Sequence, residues 1–331
     1  MKILVYGVHD GERDAIDNWQ RRNQYELSCL AELFSLENVD LVKGFDGLCI
    51  QQSLPVQDEE IFRKLKDYGI KQIALRTAGF DMINLDNAKK YGITITYVPA
   101  YSPNAIAEMA LTQTMNLVRK MNITQAKVKK NNFTWVGSLA PEIRSLTIGI
   151  VGVGRIGGVF AKLVSGLGAK VIGYDIEVRE HENPVVAYQD SLEMLLQKAD
   201  VVSIHLPHDK STEYLINKHT LSLMKPSAYL INTARGMIVK STDLIEALEN
   251  NIIAGAALDT IDVELGYFTK NYSNQEIENE IFKKLLELPN VIITPHISFY
   301  TKTALTNMVD IALDSVVDIL ETGTSKNIVK K

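Results

Sequence analysis

The sequence has few cysteines and no long hydrophobic run. Cys29 and Cys49 are the only cysteines among 331 residues, and both lie in apolar sequence surroundings. Their spacing matches no metal site, so we predict two buried thiols in a reducing cytoplasm. No apolar stretch approaches the roughly 20 residues of a membrane-spanning helix, and the apolar start of the chain is too short for a signal peptide. We therefore expect a cytoplasmic protein with no membrane segment and no metal.

Strong charge of either sign is also lacking. The formal net charge is −5, and charged residues make up 23% of the chain, against 46% hydrophobic residues. This balance is ordinary for a globular protein and argues against nucleic acid as a partner. No internal repeat or low-complexity segment is visible. A chain of this length can form two domains, each with its own core.

One glycine-rich stretch organises the rest of the chain. Residues 146–151 are typical of a buried strand, and they lead into G-x-G-x-x-G and then into apolar residues at helical spacing. Gly152 permits a tight turn, Gly154 lets a pyrophosphate approach the backbone, and Gly157 allows close helix packing. The helix N-terminus offers N–H groups to phosphates. The predicted cofactor-binding turn consists of Gly152, Gly154, Arg155, Ile156 and Gly157.

A second predicted strand, residues 170–175, ends at an acidic residue. Asp175 lies 18 residues beyond Gly157, where a ribose-binding carboxylate is expected. Its oxygens can accept both ribose hydroxyls and would repel a 2′-phosphate, and Glu177 adds to that repulsion. Arg179 is the one nearby residue that could soften the preference. The sequence therefore favours NAD over NADP.

Strands and helices alternate along the whole chain, which predicts an α/β protein with doubly wound parallel sheets. The segment Pro99–Tyr101 is expected to be the crossing from a first to a second domain, and Pro103 is expected to begin a helix. Further helices are expected from Glu276 to Glu287 and from Lys302 to Glu321, the latter ended by Gly323. In the second domain, strands are predicted to end at or near Asp175, His205, Thr233, Asp259 and Thr294.

Arg235, Glu264 and His296 each follow one of these predicted strands. Because the carboxyl ends of parallel strands meet at one edge of a sheet, we expect the three side chains to converge where a nicotinamide would lie. Arg235 can bind a carboxylate in a bidentate fork and polarise a carbonyl. His296 can donate a proton as hydride arrives, and Glu264 can hold its imidazole. The set predicts hydride transfer to a 2-keto acid.

Each assignment has an alternative: Arg235 could be a surface or ion-pair residue, and His296, which follows a proline, could be an ordinary loop histidine. His205 also lies at a predicted strand end and is a rival proton donor. Asp262 lies two residues from Glu264 and is a rival partner for the imidazole. His208 is expected to be solvated. The histidine and cysteine spacings form no convincing metal site.

Several motifs together resemble one enzyme family. The resemblance rests on the glycine turn and on V-P-A-Y-S-P-N-A-I-A-E at 98–108, H-L-P at 205–207, N-T-A-R-G at 232–236, the acidic segment 259–264, and T-P-H at 294–296. On these residues the chain resembles the D-isomer-specific 2-hydroxyacid dehydrogenases over nearly its whole length. The likeness is closest to the D-lactate and D-2-hydroxyisocaproate dehydrogenases.

The resemblance implies roles for particular residues. It makes Arg235, Glu264 and His296 the catalytic set, in agreement with the residue-based prediction. It also implies further contacts to NAD, which would come from His205, Pro207, Thr233, Ala234 and Asp259.

The resemblance also implies an arrangement of domains. A Rossmann NAD-binding domain would span residues 101–298. A flavodoxin-like substrate domain would combine residues 1–100 with 299–331, with a cleft between the two domains. A homodimer would form through the region from Pro103 to about Arg144.

The substrate pocket is expected from the same resemblance. Backbone N–H groups of Ala78 and Gly79 would bind the substrate carboxylate. D-lactate enzymes often have a tyrosine where this chain has Ile50, and the aliphatic side chain would admit bulkier 2-keto acids. Tyr101 and Phe299 would complete an apolar wall.

The predicted activity is the NAD-dependent reduction of pyruvate or a bulkier 2-keto acid to the D-2-hydroxy acid. One alternative is a glyoxylate/hydroxypyruvate or phosphoglycerate dehydrogenase of the same fold, although few basic residues near the substrate loops would meet a phosphate. Another is an NAD-sensing corepressor or scaffold. The joint presence of arginine, glutamate and histidine favours catalysis.

Overall fold

The computed structural model of this chain describes residues 1–52, 54–178 and 182–330. The chain forms two compact units, which we call unit 1 (Met1–Ser102 with Tyr300–Lys331) and unit 2 (Pro103–Phe299). Unit 1 is therefore discontinuous in sequence, whereas unit 2 is one continuous segment. Among the described residues, no helix combines the length and the apolar character needed to cross a bilayer.

Strands and helices alternate as predicted. The strands of the described residues are β1 (Lys2–Tyr6), β2 (Glu26–Cys29), β3 (Gly47–Ile50), β4 (Gln72–Leu75), β5 (Thr94–Thr96), β6 (Thr147–Val151), β7 (Lys170–Tyr174), β8 (Ala187–Tyr188), β9 (Val201–Ile204), β10 (Tyr229–Asn232), β11 (Gly255–Leu258) and β12 (Val291–Ile293). The α-helices are α1 (Arg13–Arg22), α2 (Glu59–Asp67), α3 (Leu85–Tyr91), α4 (Pro103–Val118), α5 (Met121–Lys129), α6 (Arg155–Gly166), α7 (Leu192–Lys198), α8 (Lys218–Ser222), α9 (Ser241–Glu249), α10 (Glu280–Glu287) and α11 (Lys302–Thr322). Short 3-10 helices occupy Asp10–Glu12, Val39–Val42, Ile143–Ser145 and Gly236–Ile238.

Unit 1 contains a five-stranded parallel sheet in the order β2-β1-β3-β4-β5. Every residue of β3 and β4 is buried, as expected for parallel strands covered on both faces. On one face, Val309 and Leu313 of α11 join Ile3 and Trp19 in a hydrophobic cluster. The last helix of the chain thus completes the core around the first strand.

Unit 2 contains a seven-stranded parallel sheet in the order β12-β11-β10-β9-β6-β7-β8. The chain runs one way from β6 to β8 and the other way from β9 to β12, so the strand order reverses beside β6. In such sheets ligands bind at the carboxyl edge near this reversal. Five strands end one residue before the positions that the sequence predicted, at Tyr174, Ile204, Asn232, Leu258 and Ile293. The predicted α/β fold with two parallel sheets is confirmed.

Local signals explain several helix boundaries. Pro103 is the first residue of α4, as predicted, because proline lacks the N–H that a first helical position leaves unpaired. The Thr301 side chain accepts the N–H of Ala304 at the start of α11, and Gly323 ends that helix in the left-handed conformation. Both ends of α11 therefore follow from the sequence.

Several sequence predictions need correction or completion. The edge strands β2 and β8 and the helix α5 were not predicted, and α5 contains no buried residue, so it has no apolar face to detect. Cys29 lies on edge strand β2 and is exposed, whereas Cys49 is buried. Helix α10 was expected from Glu276 but begins at Glu280, because the Asn279 side chain accepts N–H groups of the first turn.

Candidate active site

Polar side chains collect at the carboxyl edge of the unit 2 sheet. Strands β10, β11 and β12 lie side by side in register, with Asn232 opposite Leu258 and Leu258 opposite Ile293. Arg235 follows the end of β10 by three residues, and His296 follows the end of β12 by three. Neighbouring strands are about 4.8 Å apart, which places the two backbones about 10 Å apart. Side chains from both can therefore reach one small molecule.

A carboxylate orients His296. The imidazole Nδ1 lies 2.9 Å from Glu264 Oε1, and Glu264 Oε2 accepts the N–H of Ile261 at 2.9 Å. Because a carboxylate only accepts hydrogen bonds, Nδ1 carries a hydrogen and Nε2 is the nitrogen left to exchange a proton with a ligand. The imidazole is 37% exposed, so a ligand can reach it.

Asp259 organises the loop that carries His296. Its fully buried carboxylate accepts the N–H of Ile297 at 3.0 Å and that of Ser298 at 2.8 Å, and also the hydroxyls of Thr294 and Ser298. The N–H of His296 donates to the Asp259 carbonyl oxygen at 2.9 Å. His296 has a φ of +56°, a conformation that costs a residue with a Cβ about 1–2 kcal/mol. The hydrogen bonds around it hold this backbone in place.

Arg235 lies in a turn that Asn232 fixes. The buried Asn232 amide donates to the Arg235 carbonyl oxygen at 3.0 Å and to the Thr260 carbonyl oxygen at 3.5 Å. A Cβ at Gly236 would lie 2.2 Å from the carbonyl carbon of Ile261, so only glycine allows this close approach. The turn after β10 thus packs closely against the loop after β11 and is hydrogen-bonded to it.

The rival carboxylate, Asp262, has a different role. Its Oδ2 accepts the N–H of Ser241, the first residue of α9, at 3.2 Å. Glu264 makes the contact with His296. The geometry therefore contradicts the alternative in which Asp262 replaces Glu264.

The glycine turn forms a cradle for a dinucleotide. Gly152 has a φ of +91°, and a Cβ there would lie 2.6 Å from the His205 carbonyl oxygen. A Cβ on Gly157 would lie 2.0 Å from the Gly152 carbonyl oxygen. Helix α6 begins at Arg155 after Gly154, with no side-chain cap. Its first N–H groups are the type that bind phosphate.

Asp175 lies one residue past β7, beside this turn. Its Oδ2 accepts the N–H of Val153 at 2.7 Å, and its Oδ1 accepts the N–H of Glu177 at 3.0 Å. Ile156 packs against the core beneath the turn. Arg179, the residue that could soften a preference for NAD, lies outside the described residues.

The environment of His205 lowers the pKa of its imidazole. Its Nε2 lies 2.9 Å from Ser203 Oγ, and its Nδ1 is buried without a hydrogen-bond partner among the described residues. Burial lowers the pKa of His205 to about 3, because a charged imidazole loses its hydration there. The ring is neutral at pH 7, which disfavours His205 as the proton donor. His208, expected to be solvated, is half-buried with its Nε2 enclosed.

The remaining predicted NAD contacts lie around the same edge. Thr233 and Ala234 follow β10 and are nearly buried, and Thr233 Oγ1 has no partner among the described residues. Pro207 is exposed, and its carbonyl oxygen accepts the Thr212 hydroxyl at 2.8 Å. Buried polar atoms usually find partners. The unpaired atoms of Thr233 and His205, together with the glycine cradle, fit a polar ligand such as NAD.

Ile50 does not lie where the sequence placed it. Its side chain has no exposed surface and belongs to the unit 1 core, packed among apolar residues of neighbouring strands. A residue without accessible surface cannot line an open pocket unless the core rearranges. This burial contradicts the predicted place of Ile50 in the substrate wall.

The other predicted substrate residues have accessible surface. Ala78 and Gly79 are half-buried in the loop after β4. Tyr101 is half-buried against the core of unit 1. Phe299, the last residue of unit 2, is also half-buried. Their contacts with substrate stay predictions.

Sequence reasoning did not assign a role to Asn232, Thr294 or Ser298. Asn232 ends β10 and Thr294 directly follows β12, and both belong to motifs quoted above. Their position at the strand ends was therefore a signal in the sequence. Nothing in the sequence marks Ser298, whose role depends on a carboxylate 39 residues away.

A sequence model of a protein family matches residues 111–298, and its description is "D-isomer specific 2-hydroxyacid dehydrogenase, NAD binding domain". The chain belongs to this family. The match lies wholly within unit 2, the unit that contains the glycine turn and the Arg235, Glu264 and His296 side chains. The predicted family and its cofactor, NAD, are confirmed.

Full-length relatives support membership of the 2-hydroxyacid dehydrogenase family. A D-2-hydroxyacid dehydrogenase (NAD(+)) of Clostridioides difficile is 43% identical over 329 residues, with 99% of both chains covered. A D-lactate dehydrogenase of Lactiplantibacillus plantarum is 41% identical, covering 100% of this chain and 99% of the relative.

Solved structures of 2-hydroxyacid dehydrogenases have the same fold. The D-lactate dehydrogenase of Lactobacillus jensenii with NAD+ gives a TM-score of 0.89 at 42% identity, with both chains covered fully, at 100%. A D-2-hydroxyisocaproate dehydrogenase gives a TM-score of 0.92 at 36% identity, again with 100% of both chains covered. The chain is thus an NAD-dependent oxidoreductase of the 2-hydroxyacid dehydrogenase family.

Proposed function

We propose that this protein catalyses reversible hydride transfer between NADH and a small 2-keto acid, pyruvate or a bulkier one, giving the D-2-hydroxy acid. The His296–Glu264 contact of 2.9 Å, beside Arg235 at the same sheet edge, carries the proposal. The names of the full-length relatives, which include D-lactate dehydrogenases at about 40% identity, support the substrate class.

Arg235 and His296 have complementary tasks in this proposal. Arg235 binds the substrate carboxylate through its planar fork and draws electron density from the keto oxygen. His296 Nε2 donates a proton to that oxygen on reduction and takes it back on oxidation. Bound NAD supplies the hydride donor or acceptor. Glu264 fixes the tautomer and balances the positive charge of the imidazolium.

NAD would be held by the glycine turn and the N-terminus of α6, with Asp175 on the ribose. A carboxylate at this position repels a 2′-phosphate. Repulsion of several kcal/mol between like charges corresponds to a preference for NADH over NADPH of about 100-fold or more. Comparison of kcat/KM for the two cofactors measures this preference.

The decisive experiment removes the proton donor. In His296→Ala, we expect turnover to fall by about 10²- to 10⁴-fold, the usual contribution of general acid catalysis, while NADH binding measured by fluorescence titration is kept. His219→Ala, which changes an exposed histidine on α8, should leave turnover unchanged. Near-normal turnover in His296→Ala would move the proton donor elsewhere.

A substrate panel with NADH, followed by chiral analysis of the product, resolves the substrate. Reduction of pyruvate or branched 2-keto acids to the D-product supports the proposal. Preference for glyoxylate or phosphohydroxypyruvate would favour the alternative dehydrogenases. NAD binding without any turnover would favour a sensing role.

We further propose that the protein is a cytoplasmic homodimer. Phe133, Trp135, Val136 and Leu139 follow α5 and are 71%, 92%, 81% and 90% exposed. Apolar side chains concentrated in one exposed segment are typical of an interaction surface. The segment lies in the region that the family resemblance assigns to the dimer.

The proposed cytoplasmic location rests on the cysteines. Cys29 and Cys49 form no disulfide, which suits a reducing compartment.

A further inference from the structure

Helix α4 contacts the loop of His296 through one buried side chain. Gln113 is only 1% exposed, and its Nε2 donates to Thr294 Oγ1 at 2.9 Å. Thr294 directly follows β12 and precedes His296 by two residues. The side-chain amide of Gln113 thus contacts the loop that contains His296, the proposed proton donor.

The contact continues into Asp259. The Thr294 hydroxyl donates to the Asp259 carboxylate, and the same carboxylate accepts the N–H groups of Ile297 and Ser298, which follow His296. The path therefore runs from Gln113 through Thr294 to the carboxylate that holds the histidine loop.

The direction of each hydrogen bond is set by chemistry. A hydroxyl has one hydrogen to donate. Because the Gln113 amide donates to Thr294 Oγ1, the Thr294 hydrogen is turned away from Gln113 and toward Asp259. A side chain that could only accept at position 113 would compete with Asp259 for that hydrogen.

A purely structural role does not account well for this glutamine. Gln113 Oε1 is buried and has no hydrogen-bond partner among the described residues, and an unpaired buried polar atom costs about 1–3 kcal/mol. An apolar side chain of similar size would fill the space without that cost. The donor on Nε2 is what the apolar side chain would lack.

We propose that Gln113 is a positioning residue for His296, which acts by aligning the Thr294 hydroxyl on Asp259. The proposal rests on the proposed role of His296 as proton donor. Loss of the Gln113 donor loosens the loop and moves the imidazole from its reactive position. A displacement of about 1 Å can lower a rate about 100-fold.

Two substitutions at position 113 test the proposal. In Gln113→Met, we expect kcat to fall about 10- to 100-fold with an unchanged KM for NADH. The isotope effect with 4-deuterated NADH should rise, because hydride transfer becomes slower relative to other steps. In Gln113→Glu, the neutral carboxylic acid can donate but the carboxylate cannot, so kcat should fall as pH rises through the pKa of the new group.

Thr114→Val is the matched control. Thr114 is the next residue of α4, is fully buried, and donates its hydroxyl to the Ala110 carbonyl oxygen within the helix at 2.7 Å. It should leave kcat and the isotope effect near the wild-type values, even if Tm falls. Thr294→Val is a second test of the proposal if Gln113→Met does not fold. It should show the same loss of kcat with an unchanged KM for NADH.

The outcomes separate this proposal from the function itself. Wild-type kcat and isotope effect in Gln113→Met or Thr294→Val, with turnover lost in His296→Ala, would overturn only the role of Gln113. An equal loss of kcat in Gln113→Met and Thr114→Val would mean that both residues act only through the packing of α4. That result would also overturn the role of Gln113. Full turnover in His296→Ala would move the proton donor elsewhere and remove the basis of the Gln113 proposal, whereas absence of turnover by the wild type with every 2-keto acid tested would overturn the proposed function.

Discussion

The half-buried imidazole of His205 should make the folded protein sensitive to acid. Its pKa is lowered to about 3 by burial, whereas an exposed histidine in the unfolded chain titrates near 6.5. Between these values the unfolded state binds more protons, so folding stability falls as pH falls. The stabilisation is complete above about pH 6.5 and is lost progressively toward pH 3.

His205→Gln tests this linkage, since the glutamine amide can keep the contact with Ser203 but does not titrate. Between pH 7 and pH 4.5, the wild type should lose about 2–3 kcal/mol more unfolding free energy than His205→Gln. Urea unfolding at both pH values measures the difference, with His219→Gln as the exposed control. Equal acid sensitivity in His205→Gln and the wild type would contradict a buried neutral imidazole.

Gln72 is a residue whose replacement should stabilise the protein. It is fully buried at the start of β4, and neither its Oε1 nor its Nε2 has a hydrogen-bond partner among the described residues. Gln72→Met removes two unpaired polar atoms and keeps the length of the side chain. We expect unfolding free energy to rise by about 1–3 kcal/mol, seen as a higher Tm.

Gln52→Met is the matched control for that substitution. Gln52 is also buried, but its amide donates to the carbonyl oxygens of Phe34 and Leu54 and accepts the N–H of Phe34. Its replacement leaves those backbone groups unpaired and should lower Tm. A lower Tm in Gln72→Met as well would mean that the Gln72 amide has partners in solution.

At the scale of elements, position 157 in the first turn of α6 tolerates no side chain. A Cβ at Gly157 would lie 2.0 Å from the Gly152 carbonyl oxygen, whereas a Cβ at Gly166, the last residue of the same helix, meets no atom within 4 Å. Gly157→Ala should therefore distort the glycine turn and abolish NADH binding. Gly166→Ala should keep binding, and its higher helix propensity adds up to about 1 kcal/mol of stability. NADH fluorescence titration of both variants checks the pair, and unchanged affinity in Gly157→Ala would mean that the turn can relax.

The strand ends of unit 2 were predictable because each short apolar run is followed by polar residues, and parallel strands bring those residues to one edge. The contact of His296 with Glu264 follows from that rule. The Asp259 hydrogen bonds do not, since they depend on side-chain directions in a loop with an unusual φ at His296. Helix α5 was not predictable because none of its residues is buried.

Burial of individual side chains was less predictable than the elements. Ile50 and Cys29 both lie in apolar stretches, yet one is fully buried and the other exposed. The difference arises because Ile50 ends a central strand, while Cys29 ends the edge strand β2. Neighbours that are distant in sequence decide which apolar residue becomes core.

At the scale of the whole molecule, the exposed segment after α5 should govern self-association. Leu139 is 90% exposed there, and Leu286 on α10 is 50% exposed elsewhere in unit 2. At the proposed dimer interface, Leu139→Asp would bury a charge against the apolar surface of the partner. The dissociation constant of the dimer should rise about 100-fold or more, whereas Leu286→Asp should leave it unchanged. Sedimentation velocity measures both, and an intact dimer in Leu139→Asp would place the interface elsewhere.

The discontinuity of unit 1 has a consequence for synthesis. Its core needs Val309 and Leu313 from the last helix, but about 200 residues separate Ser102 from Tyr300, and a ribosome adds about 5–20 residues per second. One apolar face of the unit 1 sheet is therefore uncovered for about 10–40 s, while the ribosome synthesises unit 2. During that interval we expect the uncovered apolar face to be a binding site for chaperones at the ribosome exit.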